Sequence, residues 1–360
     1  MKRTLTIATL ALFALHFSPL TSVAQTQTEQ YMPGVTTEGA IYALPKTAVR
    51  IAVQVEKTTY TPGDLAPYAE RFLRLTGVSQ EPSTSYRIIS VRQSAIGVSD
   101  STKYYAIRFN NKTAAINVAK ADDGVLLALN AEPRYQSVPD AFKPWPKPAA
   151  VNPRNYMNEE ILAAGSTAKM AQLTAQEIYD IRNSRSELVK GQADFMPQDG
   201  EQMKLMLSQL DQQDRALTSL FAGTTVSDTT ETVLTIIADS ALHRKPLFRF
   251  SKHFGLVEAD DLSGTPYYIS IENLTKLPPV DEKDAKKKKA AYGLYYNVAG
   301  RMRSTIYDAN KIADEAEFPA GQFGYVELLS AELFNKHFGT RLWLNPISGD
   351  IDKLEAEQPK

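Results

Sequence analysis

The sequence predicts an α+β protein in which two β-rich domains are separated by an antiparallel helical hairpin, and three observations carry that prediction. Short runs with period-two alternation fill residues 39–132 and again 223–357. Two stretches of helical periodicity occupy residues 154–222. Between the first strands and these helices lie six prolines, from Pro133 to Pro153. Proline lacks a backbone N–H and fixes φ, so such a run belongs in neither a helix interior nor a central strand. Residues 133–153 therefore read as an extended linker.

Taken in order, residues 1–24 have the layout of a cleaved signal peptide. Lys2 and Arg3 precede an apolar stretch from Leu5 to Phe17, Ser18-Pro19 breaks the helix, and Ser22-Val23-Ala24 offers small residues for cleavage. The apolar stretch is too short to remain as a membrane anchor. Residues 25–38 are polar and aperiodic, a flexible leader. Val49, Ile51, Val53 and Val55 alternate with Arg50 and Gln54 as in a half-buried strand. Leu65, Tyr68, Ala69, Phe72 and Leu73 then follow at helical spacing, with Gly77 as the expected stop. Further strands are expected at 86–91, 103–109, 114–119 and 124–130.

In the helical region, Thr174 and Glu177 have capping-box spacing, and Ile178, Ile181, Arg185 and Leu188 form a seam. Asp199-Gly200 opens a second helix with a seam through Met203, Leu207, Leu210, Asp214, Leu217 and Phe221. Joined by residues 191–199, the two should pack antiparallel. That fold sets Asp214 level with Ile178, so Arg185 and Asp214 are not expected to meet. Strands are expected again at 233–238, 247–251, 267–272, 292–298 and 301–308, and a last strand holds Trp343 and Leu344.

Composition narrows the function classes. The 360-residue chain contains no cysteine, which excludes disulfides, thiolate metal sites, cysteine nucleophiles and a lipid anchor on cysteine. Its formal charge of −1 becomes −3 once Lys2 and Arg3 are removed (−1 − 2), so no global basic excess draws it to nucleic acid. No second apolar run after the signal approaches the length of a membrane span. His-Glu-x-x-His, Gly-x-Ser-x-Gly, Gly-x-Gly-x-x-Gly and the P-loop are missing, and His243, His253 and His337 are scattered. No metal site and no cofactor are expected.

Three local patterns carry candidate chemistry. Ser166-Thr167-Ala168-Lys169 fits the Ser-x-x-Lys of penicillin-binding enzymes, where a lysine one turn beyond the serine helps deprotonate it, but the companion Lys-Thr-Gly is missing. Lys286, Lys287, Lys288 and Lys289, followed by Tyr292 and Tyr295, combine charge with aromatic faces as a grip for an anionic glycan would; an exposed loop leading into a strand explains them equally. Glu258, Asp260 and Asp261 pair carboxylates as a glycosidase does, yet the adjoining Ser263-Gly264 makes a solvated turn the simpler reading.

The segments Tyr42-Ala-Leu-Pro-Lys-Thr-Ala, Val55-Glu-Lys-Thr-Thr-Tyr-Thr-Pro-Gly, Gly165-Ser-Thr-Ala-Lys-Met-Ala, Ala193-Asp-Phe-Met-Pro-Gln-Asp-Gly and Ala259-Asp-Asp-Leu-Ser-Gly-Thr-Pro-Tyr-Tyr resemble those of a family of exported proteins from Bacteroides-like bacteria, known as a domain of unknown function. The resemblance spans nearly the whole chain after residue 24. It implies a Gram-negative envelope location, in the periplasm or at the outer membrane, and brings no catalytic residue, substrate or cofactor. The expectation is a non-catalytic envelope protein that binds or assembles with an envelope protein or glycan. The alternative is a periplasmic hydrolase of cell-wall or glycan material acting through Ser166 and Lys169.

Overall fold

The computed structural model describes residues 27–33, 39–108, 117–137, 139–144, 146–147, 151–197, 199–276, 293–334 and 339–357. The chain runs through β1 (Gln27–Gln30) and the long β2 (Ala40–Thr61), makes a helical turn into α1 (Ala69–Leu73), and returns along β3 (Ser83–Arg108). The short β4 (Val118–Lys120) and β5 (Leu126–Leu129) precede α2 (Glu159–Leu162), α3 (Thr167–Lys190) and α4 (Gly200–Ala222). Then come β6 (Thr224–Ile237), β7 (Leu242–Ser251), β8 (Gly255–Val257), β9 (Thr265–Asn273), β10 (Gly293–Tyr307), β11 (Ile312–Ser330), β12 (Gly339–Leu344) and β13 (Ile351–Glu357). The fold is β-rich with few helices, and its strands form three sheets, ordered β1-β3-β2-β6, β11-β10-β9-β7-β8 and β13-β12-β5-β4.

Two of these sheets mix strands from both sides of the proline-rich segment, so the expected pair of separate β-rich domains does not appear in the strand pairing. β6 lies antiparallel to β2 over its whole length, from Thr61↔Thr224 to Ala48↔Ile237. β12 pairs with β5 through Leu342↔Leu129 and Trp343↔Ala128. The cause is β2, whose length serves three cores. Tyr42 and Leu44 at its start join Leu126, Leu129, Leu294, Leu342 and Leu344. Val49, Ile51, Val53 and Val55 in its middle pack against Phe248, Ile269, Ile271, Met302 and Ile306. Each such side chain, taken from water, contributes roughly 1.5–3 kcal/mol. Just beyond its end, Leu65 and α1 pack on the hairpin, through Ala171, Ala175, Ile178, Leu217 and Phe221.

The hairpin itself is as expected in its pairing and its joint, with α3 ending at Lys190 and α4 starting at Gly200. Asp199 caps α4 by accepting from the Gln202 amide at 2.7 Å. The start of α3 differs from the Thr174 expectation. Ser166 is its N-cap, and Thr174, one helical turn and more inside, donates its hydroxyl to Met170 O at 2.8 Å. Arg185 and Asp214 stay apart as foreseen, although neither is left to water alone: Arg185 pairs with Asp211 at 2.7 Å and Arg182 with Asp214 at 3.0 Å. The equal sums of these residue numbers are those of an antiparallel pair. α1 also stops earlier than Gly77, with Arg74 taking the left-handed cap at φ 57°.

Two strands run through positions where sequence patterning predicts a break. β3 joins the expected 86–91 and 103–109 strands across Ser94, Gly97 and Ser99. Gly97 is required there, because a Cβ would meet Pro346 O at 1.9 Å, where the turn between β12 and β13 crosses the strand. β11 was not foreseen at all. Its acids answer the bases of β10, with Glu317 accepting from Arg303 at 2.8 Å, and its Pro319 is tolerated because β11 is an edge strand.

Candidate functional site

The two faces of the β3-β2-β6 sheet differ in character. Val49, Ile51, Val53, Leu234 and Ile236 face the core. The alternate residues face outward in four cross-strand rows given by the register: Ile96–Ala48–Ile237, Ser94–Arg50–Thr235, Arg92–Ala52–Val233 and Ser90–Gln54–Glu231. Over these rows passes the proline-rich segment. It is anchored at one end by Gln136, which accepts from the Gly97 amide at 2.9 Å, and at the other by Lys147, 2.8 Å from Asp228 of β6. Its described residues between Gln136 and Lys147 thus form a strap against the sheet. Its prolines cannot donate to a ladder, so it crosses the sheet without becoming a fifth strand.

Between strap and sheet lies a cleft of about 330 Å³, walled by Pro139, Asp140 and Phe142 on the strap side and by Arg50, Ala52, Gln54, Ser90, Arg92, Ser94 and Glu231 on the sheet side. Part of its floor is a closed polar relay. Ser90 donates to Gln54 Oε1 at 2.9 Å, Gln54 Nε2 donates to Glu231 at 3.0 Å, and Arg50 stands 3.8 Å from the other Glu231 oxygen. The remainder is unpaired. The buried Ser94 hydroxyl has no hydrogen-bond partner among the described residues, and Arg92 makes no ion pair among them.

β6 also forms one edge of its sheet. Its only strand partner among the described residues is β2, leaving the other side of a 14-residue strand, about 45 Å long, without a ladder. Val226, Val233 and Ile237 on this strand are exposed, and six of its residues are threonine.

A second polar centre sits where the three sheets meet. Asn297, fully buried on β10, donates through Nδ2 to Pro45 O and Ser348 O, each at 2.8 Å. Its Oδ1 accepts from Lys103 Nζ at 3.3 Å, and Lys103 also reaches Gly321 O at 3.3 Å and stands 3.8 Å from Asp100. Burial lowers the Lys103 pKa against the opposing pull of Asp100. Nearby, the buried Tyr42 hydroxyl donates to Tyr295 O and accepts from Tyr295 N, both at 3.1 Å. Every group in this centre has a partner, which marks it as a joint of the fold.

The structure disperses the residues singled out from sequence. Ser166 and Lys169 are exposed at the start of α3, where Ser166 Oγ accepts from the Lys169 amide at 3.2 Å. This is how a helix cap uses a serine. Tyr295 is half-buried and stacks on Tyr105 with ring centroids 4.6 Å apart. Lys286, Lys287, Lys288, Lys289 and Tyr292 lie outside the described residues, as does His337. Asp261 lies in the turn before β9 and accepts from the Ser263 amide at 2.9 Å, an interaction that lowers its pKa. No group of three or more potential metal ligands occurs among the described residues. Among them, too, no helix is long and apolar enough to cross a membrane.

Residues 38–352, which hold the cleft, the free edge of β6 and the Asn297 joint, match the family described as Domain of unknown function (DUF4831). The chain belongs to this family. No curated protein and no solved structure matches it. The cleft of this DUF4831 protein was hidden from sequence reading because Arg92 and Ser94 fall in the stretch taken as a break between strands. The one signal available was the placement of Arg50 and Gln54 on the polar side of β2.

Proposed function

We propose that this protein is a non-catalytic component of the cell envelope that binds or assembles with another envelope component, and that it does so by accepting an extended segment along the free edge of β6. The observation that carries the reading is that edge. A long, β-branched strand with an unpaired ladder and exposed Val226, Val233 and Ile237 is a template for strand addition unless something covers it. Natural edge strands are commonly shielded by lysines, a bulge or a short length, and β6 has no lysine and no register shift against β2. Export through residues 1–24, read as a signal peptide, and a site in the periplasm or at the outer membrane of a Bacteroides-like bacterium complete the proposal.

The test is photo-cross-linking in intact cells from a reactive residue placed at Thr235 or Val233, followed by mass spectrometry. A discrete adduct with one envelope protein, lost when Val233 and Ile237 are both replaced by lysine, is expected. Recovery of no envelope partner, together with hydrolysis of peptidoglycan fragments by the purified protein, would overturn the proposal in favour of a hydrolase.

A further inference from the structure

The cleft beneath the strap supports a second, independent conclusion. Ser94 faces Arg50 across the strand pair, and Arg92 lies two residues away on the same face of β3, so two guanidinium groups flank one hydroxyl. Arg92 has no ion pair and Ser94 Oγ no hydrogen bond among the described residues, while Arg50 has only a 3.8 Å contact with Glu231. Arg92, exposed and without an ion pair among the described residues, and Arg50, no nearer than 3.8 Å to Glu231, line the same cleft, and the planar fork of arginine suits a carboxylate. The opposite end of the cleft bears Glu231 and Gln54, with Ala52 and Phe142 as apolar surface between. Gln54 donates to one Glu231 oxygen at 3.0 Å and Asp140 lines the strap side, so this part of the cleft offers hydroxyl groups hydrogen-bond acceptors. A volume of about 330 Å³ is at the lower end for ligand pockets and admits a single ring rather than a folded partner.

We propose that the cleft binds an acidic monosaccharide unit, a uronic-acid type of sugar, with its carboxylate held by Arg92, Ser94 and Arg50 and its ring lying between Ala52 and Phe142. Strand addition at β6 is not needed for this. Ser94 supplies a signature of its own, because a buried hydroxyl without a protein partner is a cost to the fold that a bound ligand or an ordered water offsets. Ser94→Ala is therefore expected to leave the melting temperature of the free protein unchanged or higher, and to weaken binding.

The experiment is calorimetric titration of the full mature chain with glucuronate, glucose, glucose 1-phosphate and glycine. Glucuronate binding that falls at least tenfold in Arg92→Gln and in Ser94→Ala, with both variants melting as the wild type does or higher, supports the proposal. Equal binding of glucose removes the carboxylate from the argument and overturns it. Tighter binding of glucose 1-phosphate or of glycine overturns it in favour of a phosphate or a zwitterion, and no binding of any probe overturns it outright. Val233→Lys with Ile237→Lys, which blocks the edge, is expected to leave glucuronate affinity within twofold, so failure of one proposal is separable from failure of the other.

Discussion

Replacing Asn297 by alanine should be among the most destabilising single polar changes in this protein. The side chain is fully buried and makes three hydrogen bonds, to Pro45 O, Ser348 O and Lys103 Nζ, that tie β2, β3 and β10 to the turn between β12 and β13. Alanine leaves two buried carbonyls short of a donor. Lys103 loses one acceptor but keeps Gly321 O, and Asp100 remains nearby. At ~1–3 kcal/mol for each buried group left unsatisfied, and with Lys103 only partly orphaned, the expected loss is about 3 kcal/mol. Asn297→Asp separates donor loss from lost volume. It keeps the shape but sets an oxygen where Nδ2 now lies 2.8 Å from two carbonyl oxygens, so it should also destabilise despite the attraction of Lys103. Urea unfolding measures both variants, with Trp343 on β12 as a fluorescent reporter beside the joint; a fall in midpoint at unchanged slope reads directly as lost stability. A loss for Asn297→Ala within ~0.5 kcal/mol, the range of ordinary surface substitutions, would refute the assignment of this side chain as the joint between sheets.

Two further predictions concern titration and capping. Burial raises the pKa of Tyr42 well above its ordinary value of 10.0 and pushes Tyr105 up to about 12, so the folded state holds these phenolic protons more tightly than the unfolded chain does. Their contribution is whole below about pH 10 and is lost as pH rises through 10 towards 12; alkaline unfolding, followed by circular dichroism and phenolate absorbance, should occupy that window, and ionisation of every tyrosine near pH 10 without unfolding would contradict it. Ser166→Ala should cost about 1 kcal/mol by removing the cap of α3, and Ser166→Asp should restore it. Labelling of the wild type by a fluorescent penicillin, lost in Ser166→Asp, would instead show a nucleophile at this position.

The legible parts of the fold are those in which the deciding interactions are local. The β2 core face announces itself by Val49, Ile51, Val53 and Val55, and α4 by Asp199 and its seam, because period and cap lie within a few residues of each other. The boundary of α3 was misjudged by the same local logic, since Thr174 offers a capping pattern inside a helix already begun at Ser166. β11 was illegible for a different reason. Asp314, Glu315, Glu317 and Pro319 argue against a strand in isolation, and only pairing with Arg301, Arg303 and Thr305 of β10 makes the acids an asset. The candidate cleft was equally out of reach, because Arg50, Arg92, Ser94, Glu231 and Phe142 come together through register across three strands and a strap.

The strap explains why cleft and edge occur on one sheet. The outer face of β3-β2-β6 carries Ile96, Ala48 and Ile237 beside its charged rows, and a sheet with both faces partly apolar needs cover on the second face. A helix or a further strand would close that face or occupy the edge. A proline-rich segment covers by contact alone: it rests on Gln136 and Lys147, carries prolines at 139, 144 and 146 that interrupt any ladder, and leaves unpaired both the outer side of β6 and the donors of Arg92 and Ser94. Shortening the strap or replacing its prolines should therefore act on cleft and edge together, while substitutions on β3 or on β6 alone act on only one of them.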